Sequence, residues 1–339
     1  MNSIREMAEH RIESLVLWKR THTALRRLAR SQRDERCKTV WKYLDSCNKK
    51  LFFGGEQASC YCNQFKQCFE IQDGFVKIGG LYIPAPSVDD IEVWNYEFMD
   101  ILAPYVFYDN DDYRYEELIP AFNEGPYEID SDVCIQKGDV VVDCGANLGM
   151  FSALASAKGA SMVYAFEPLK RLAETSLAGT AKRNSNISVV NCAVSDFIGT
   201  GEFIIEQNVG GSGLREQSIA SDHGNETITV DITTLDDFCS QNHIEKIDFI
   251  KCDIEGAERN MLRGAQNVLR YLEPKLSICT YHHPEDPQLL EEIIRSANPN
   301  YRIKHQYLKL YAYVKKDMER GEPLSEEDRE RCSENSERI

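Results

Sequence analysis

From about residue 138 the chain repeats one pattern: an apolar run of strand length, a polar ending, then a helix-like stretch. The first unit is "DVVVDCGANLGMFSALASAKG", with a strand to Cys144, a tight glycine loop, and a helix from about Phe151 to Lys158. "MVYAFEP" repeats the strand and Leu169 to Asn184 the helix. "ISVVNCAVSD", "IDFIKCDIEG" and "KLSICTYH" supply three more strands, and a helix from about Ala257 to Tyr271 follows the second of these. "GEFIIEQ" and "ETITVDITTL" read as further extended segments, and Thr234 reads as the N-cap of a helix beginning "LDDF". Strands apolar on both faces, alternating with helices, predict an α/β fold: a doubly wound, mostly parallel sheet covered by helices. Ligands of such sheets lie beyond the carboxyl ends of the strands. Here those ends carry "DCGANLG", "EP", "AVSD", "DIEG" and "YHH", so five polar endings gather along one edge.

The first loop selects among nucleotide-like ligands. A dinucleotide fingerprint needs glycine at three places of a G-x-G-x-x-G frame, so that backbone can approach a pyrophosphate. A frame begun at Gly145 meets Asn147 at its second place and Met150 at its third. Asp143, at the strand tip, is also a poor neighbour for a pyrophosphate. S-adenosylmethionine has no phosphate and carries an ammonium, which a carboxylate beside the loop favours directly or through water. Glu167 lies 24 positions beyond Asp143, at the next strand tip, where a carboxylate can accept both ribose hydroxyls of an adenosine. Asp143, Gly145, Gly149 and Glu167 fit one small cationic adenosyl ligand.

The segments "VVVDCGANLGMFS", "VYAFEP", "VVNCAVSD", "VDITTLDDF", "IDFIKCDIEGAE", "VLRYLEPKLSICTYHHPED" and "NPNYRIKH" occur in an order that resembles the FkbM-type methyltransferases. The resemblance spans about Val140 to Val314. It implies a Rossmann-like class I, S-adenosylmethionine-dependent enzyme, of a family that mostly O-methylates sugars, glycans or natural products. It further implies that Asp143, Gly145, Ala146, Asn147 and Gly149 line the methionine and ribose. Glu167, with Pro168 beside it, would hold the ribose, and the loop of Ala193, Val194 and Asp196 would border the adenine.

Methyl transfer to a hydroxyl needs alignment and a base, because an alcohol holds its proton tightly. The candidates are Asp253, Glu255, His282 and His283, at the ends of the fourth and fifth strands. Asp253 could instead hold the amino group of the methyl donor. Histidine suits base catalysis near neutral pH, and neighbours on a strand point to opposite faces, so one of the pair is expected in the cleft. Glu258 reads as a first-turn carboxylate that suits the helix dipole. Asp253, Glu255 and one histidine could also bind a divalent cation, which no spacing requires. The alternative reading is a silent methyltransferase fold that serves binding or assembly.

Composition narrows the partners. The formal net charge of -16 argues against a surface that tracks nucleic acid. No apolar run is long enough to span a bilayer, and the charged start "MNSIREMAEHRIESLVLWKR" lacks a signal-peptide core, so a cytoplasmic protein is expected. Residues 1–137 read as a helical extension with a small hairpin at "FVKIGGL" and an aromatic, acidic stretch from Trp94 to Phe122. Ile12, Leu15, Val16, Leu25 and Leu28 mark one or two amphipathic helices, packing on the core or on a second subunit in a homodimer. Cys60, Cys62 and Cys68 lack the spacing and the histidine of a common zinc site. Residues 138–316 form the ligand-binding domain, 317–339 a charged tail, and "NVGGSGLREQS" is either a plain loop or a lid.

Overall fold

A computed structural model describes residues 69–72, 75–78, 81–84, 97, 101–102, 126–205, 212–217 and 226–315. The expected N-terminal helices, the cysteine cluster, most of the aromatic stretch, the first half of the glycine-rich loop and the tail lie outside the described residues. The chain divides into two compact units, Met1–Gly125 with Glu334–Ile339, and Pro126–Ser333. In the first, β1 (Phe69–Gln72), β2 (Phe75–Ile78) and β3 (Leu81–Pro84) form an antiparallel sheet. The hairpin read at "FVKIGGL" is β2 with β3, which pair from Ile78 opposite Leu81.

The second unit is built on a seven-stranded sheet. Its strands are β4 (Val140–Cys144), β5 (Met162–Phe166), β6 (Ile187–Val190), β11 (Phe249–Cys252), β12 (Lys275–Cys279), β13 (Tyr301–Gln306) and β14 (Lys309–Val314). Their spatial order is β13-β14-β12-β11-β4-β5-β6. The first five in sequence run parallel, and β14 is inserted antiparallel beside β12. The order of strands reverses between β4 and β11, with β5 and β6 added on one side of β4, and β11 and β12 on the other, so the region beyond the ends of β4 and β11 is the topological switch point where such sheets bind ligands.

Alternation along the strands decides which helix covers which face. Val142, Cys144, Ile250, Cys252, Leu276 and Ile278 point to one side. There they meet α3 (Leu235–Gln241), α4 (Glu258–Arg263) and α5 (Asp286–Ala297) through Leu235, Met261, Leu290 and Ile294. Val141, Asp143, Phe249 and Lys251 point the other way. On that side lies α1 (Met150–Ala157), where the Phe151 ring stands 6.1 Å from that of Phe249. The segment after β5 winds as one helix, α2, through Lys170–Leu172, a π-wound Ala173–Leu177 and Ala178–Arg183. The unit is thus a doubly wound α/β fold. No helix among the described residues is long and apolar enough to cross a membrane.

Three features depart from the expected pattern. "ISVVNCAVSD" is two strands rather than one. After β6 the chain turns, and β7 (Ala193–Val194) joins a separate sheet with β10 (Glu226–Thr233), β8 (Gly199–Ile205) and β9 (Gly213–Leu214). The helix expected from Ala257 to Tyr271 breaks at Gly264. A Cβ there would lie 2.0 Å from the Ser195 carbonyl oxygen, so α4 can pass the end of β7 only on a glycine. The Asp236 carboxylate then receives the N–H groups of Asn267 and Val268 as a π-wound turn, Val268–Leu272, begins. Finally, the β13–β14 hairpin completes the sheet at its far edge. Thr234 caps α3 as expected, its hydroxyl accepting the Asp237 N–H at 3.0 Å.

Gly145, the residue after β4, passes close against the end of β11. Its φ is 78°, and an added Cβ would stand 2.0 Å from the carbonyl oxygen of Asp253 at the end of β11. Gly145→Ala is expected to cost about 2–4 kcal/mol in urea unfolding, from left-handed strain together with the forced separation of β4 and β11.

Candidate active site

The loop after β4 is held from two sides. The N–H groups of Gly145 and Ala146 both donate to the Phe166 carbonyl, at 3.1 and 2.9 Å, which fixes the loop to the end of β5. From the β11 side, the Lys251 ammonium donates to the Gly145 carbonyl at 2.6 Å and to that of Cys144 at 3.3 Å. Asn147 sits at φ 46°, and its buried Oδ1 has no hydrogen-bond partner. Gly149, at φ 86°, opens α1 close against the Leu177 and Thr180 side chains of α2. The Thr180 hydroxyl donates to the Leu148 carbonyl at 3.2 Å.

Asp143 lies at 0 % exposure. Its Oδ2 accepts the Ser152 hydroxyl of α1 at 2.6 Å, and its Oδ1 stands 3.2 Å from the Lys251 ammonium. Both oxygens are engaged inside the protein. Its link to the loop therefore runs through Lys251. Lys251 itself is 3 % exposed and lies 5.4 Å from the centre of the Tyr127 ring. A buried lysine needs a counter-charge and carbonyls to replace water, and it finds both here.

Glu167 is the tip of β5. One carboxylate oxygen accepts the Asn147 N–H at 2.9 Å and the other the Leu169 N–H at 2.8 Å. Burial pushes its carboxyl up to about 7, against those two hydrogen bonds and the Lys251 charge, which pull it down. A carboxylate offers about four lone-pair sites, so two bonds to backbone do not exhaust them. Asn191 donates to the carbonyls of Glu167 and Pro168, at 2.8 and 3.0 Å, and fixes the turn. The side chains of Ala193 and Val194 are buried in β7. Beyond them Asp196 accepts the Ser195 hydroxyl at 3.1 Å and the Asn260 amide at 3.0 Å, joining this corner to α4.

The acidic end of the crevice follows β11 and β12. Asp253 accepts the Tyr127 hydroxyl at 2.7 Å on Oδ2 and the Tyr281 hydroxyl at 3.1 Å on Oδ1. Burial alone would raise its carboxyl, but Lys251, His282, Lys309 and the Tyr127 hydroxyl outweigh that and hold it low. Glu255 follows at φ 57° and Gly256 at φ 106°, a left-handed pair that swings the chain into α4. Burial lifts the Glu255 carboxyl to about 7. The His282 side chain is 0 % exposed, while that of Glu255 is 20 % exposed, and Nε2 of the ring stands 3.3 Å from Glu255 Oε2. Nε2 is 3.8 Å from Asp253 Oδ1, and Nδ1 is 3.1 Å from Glu258 Oε1. These are ion-pair distances without aligned hydrogen bonds.

Asp253, Glu255 and His282 thus meet. His283 does not join them: its backbone N–H donates to Asp286 at 2.9 Å and its carbonyl accepts the Asp286 N–H at 3.0 Å, opening α5. Asp253, Glu258 and His282 each offer one donor atom within 4.8 Å of the others, a spacing that could suit a divalent ion. Their closest approaches use different ring nitrogens, Nδ1 for Glu258 and Nε2 for Asp253. An imidazole gives a metal one in-plane lone pair, so these approaches do not converge on a single ion.

Residues 143–307 match the family profile described as the methyltransferase FkbM domain. The chain carries an FkbM methyltransferase domain. The structure is similar to that of a methyltransferase FkbM from Methylobacillus flagellatus KT, with 22 % identity, a TM-score of 0.42, and coverage of 67 % of this chain and 59 % of that one. It is also similar to fibrillarin from Aeropyrum pernix in complex with S-adenosyl-L-methionine, with 12 % identity, a TM-score of 0.31, and coverage of 53 % and 67 %. No curated protein sequence matches the chain.

Sequence reasoning missed Lys251 and Tyr281 within the matched residues, and Tyr127 and Lys309 outside them. A charged residue inside the apolar run "IDFIKCD" was a readable signal for Lys251. Tyr127 precedes the strand pattern and carries no such signal. Lys251→Met would leave Asp143 buried without its counter-charge, and a loss of about 3–5 kcal/mol is expected in urea unfolding. The double variant Asp143→Leu with Lys251→Met is expected to recover only part of this, because the Gly145 carbonyl still lacks its donor.

Proposed function

We propose that this chain is an S-adenosylmethionine-dependent methyltransferase that methylates a hydroxyl of a sugar, glycan or other secondary metabolite. The observation that carries the reading is the edge of the sheet itself. Glu167 after β5, the Gly145–Gly149 loop after β4 with its unpartnered Asn147 oxygen, and Asp253 and Glu255 after β11 follow one another along neighbouring strand ends. The residues fit the methyl donor: Glu167 would accept ribose hydroxyls, the glycine loop and Asn147 would take the amino-acid end, and the Asp196 corner would flank the base. When bound, that donor supplies an activated methyl group on a sulfonium.

The protein's own task is to orient the acceptor and receive its proton. The oxygen gains a carbon and loses a proton, and the proton must end on the enzyme. Glu255 is the acceptor group favoured by geometry. Asp253 is held low as an anion while it accepts two tyrosine hydroxyls, the His282 ring is closed to solvent, and the His283 backbone opens α5. Asp253, held as an anion beside Glu255, suits the ammonium of the donor. The resemblance to the FkbM family supports the hydroxyl acceptor, because it is there that sugars and natural products are the usual substrates.

Calorimetric titration with S-adenosylmethionine tests the first part. Glu167→Ala is expected to weaken binding by about 1.5–3 kcal/mol, the worth of charge-assisted hydrogen bonds. An unchanged dissociation constant would remove Glu167 from the ribose. Transfer of a labelled methyl group to a panel of free and glycosidic sugars tests the second. Glu255→Gln is expected to lower kcat about 10²–10⁴-fold while donor affinity holds. Because Glu255 must be ionised to take a proton, the wild-type rate is expected to rise with pH through about 7. Tight donor binding without transfer to any acceptor would favour the silent, binding-only reading.

A further inference from the structure

Glu258 opens α4, where a glutamate is ordinarily a surface residue whose charge suits the helix dipole. This one is turned inward, and its side chain is 0 % exposed. Oε1 accepts the Ile254 N–H at 2.9 Å and stands 3.1 Å from His282 Nδ1. Oε2 is buried without a hydrogen-bond partner. On the far side of the same ring, Nε2 stands 3.3 Å from Glu255. The imidazole is therefore strung between a sealed carboxylate and a crevice-facing one. Burying Glu258 without a positive partner would be strongly unfavourable, and His282 is the cation-forming group within ion-pair distance of it among the described residues.

We propose that Glu258 is the positioning residue of this site: it holds His282 as an imidazolium, in a fixed orientation, so that the ring keeps Glu255 in place and ionised to take the acceptor's proton. The inference rests on the reading of Glu255 as proton acceptor. The logic is that of a catalytic triad, in which a buried carboxylate sets the state of a histidine that in turn serves the reacting group. The surroundings agree. Asp253 and Glu255 face the ring from the loop after β11, Glu258 from α4, and the Tyr281 ring lies beside it at 4.1 Å, tilted by 46°. The positive groups Lys251 and Lys309 act on Asp253. Burial pulls the His282 pKa down, but Glu258, Glu255 and Asp253 outweigh it and push it up to about 11. A glutamate that served only to cap the Ile254 N–H would have no such hold on the ring.

Nitrogen-15 NMR of the full-length protein labelled at its seven histidines tests this, with His282→Gln assigning the resonance. In the wild type both ring nitrogens of His282 are expected to stay protonated at pH 8. Glu258→Gln keeps the shape and an acceptor for the Ile254 N–H, and is expected to lower the titration midpoint of the ring by about two pH units. A wild-type ring that titrates near the ordinary histidine value, or a midpoint unmoved by the substitution, would overturn the proposal. The wild-type arm decides alone should the variant not fold. In turnover, His282→Gln, which removes the cation beside Glu255, is expected to lower kcat about tenfold or more at neutral pH, to leave KM for S-adenosylmethionine in place, and to move the acid limb of the rate profile upward. A protonated ring with an unmoved acid limb would support the pairing and sink Glu255 as the proton acceptor, so the two readings fail separately.

Discussion

The buried Lys251 ammonium holds the site together. It reaches from β11 to the Gly145 and Cys144 carbonyls, and its charge balances Asp143, which in turn takes the Ser152 hydroxyl of α1. One side chain thus ties two central strands, the first loop and the first helix. In water such a cation would be worth little to the fold. Here desolvation makes the arrangement unforgiving, because every partner lost leaves a buried charge or carbonyl uncompensated. The glycine loop keeps a left-handed turn and a van der Waals fit against β11 under that constraint.

Negative charge is distributed unevenly around this anchor. Asp143 is neutralised inside the sheet, whereas Asp253, Glu255 and Glu258 cluster where β11 and β12 end. Tyrosine hydroxyls, two lysines and one imidazole offset the cluster only in part. The outcome is a pair of carboxyls of opposite character a few residues apart, Asp253 held low and Glu255 lifted to about 7. Such divergence separates an electrostatic role from a proton-accepting one.

The parts of the fold that follow from local periodicity were legible in the sequence. β4, β5, β11 and β12 are near-continuous apolar runs, and Thr234 announced its helix by residue type alone. The parts set by distant packing were not. The split of "ISVVNCAVSD" depends on pairing with β10, forty residues later, and the break at Gly264 depends on the Ser195 carbonyl. At the site, Glu167, Asp253 and Glu255 could be read as polar residues at strand tips. Glu258 was read as a helix-dipole residue because nothing local distinguishes an inward from an outward first-turn carboxylate. His282 rather than His283 stands among the carboxylates, while the His283 backbone opens α5, which no local pattern announced.

Lys251 lies in β11 and Asp253 follows its last residue, Cys252, so one short segment carries both. The hold on the Gly145 carbonyl and the acidic cluster around His282 therefore share one stretch of backbone. A displacement of β11 would loosen both together, and neither can be retuned by drift without disturbing its twin.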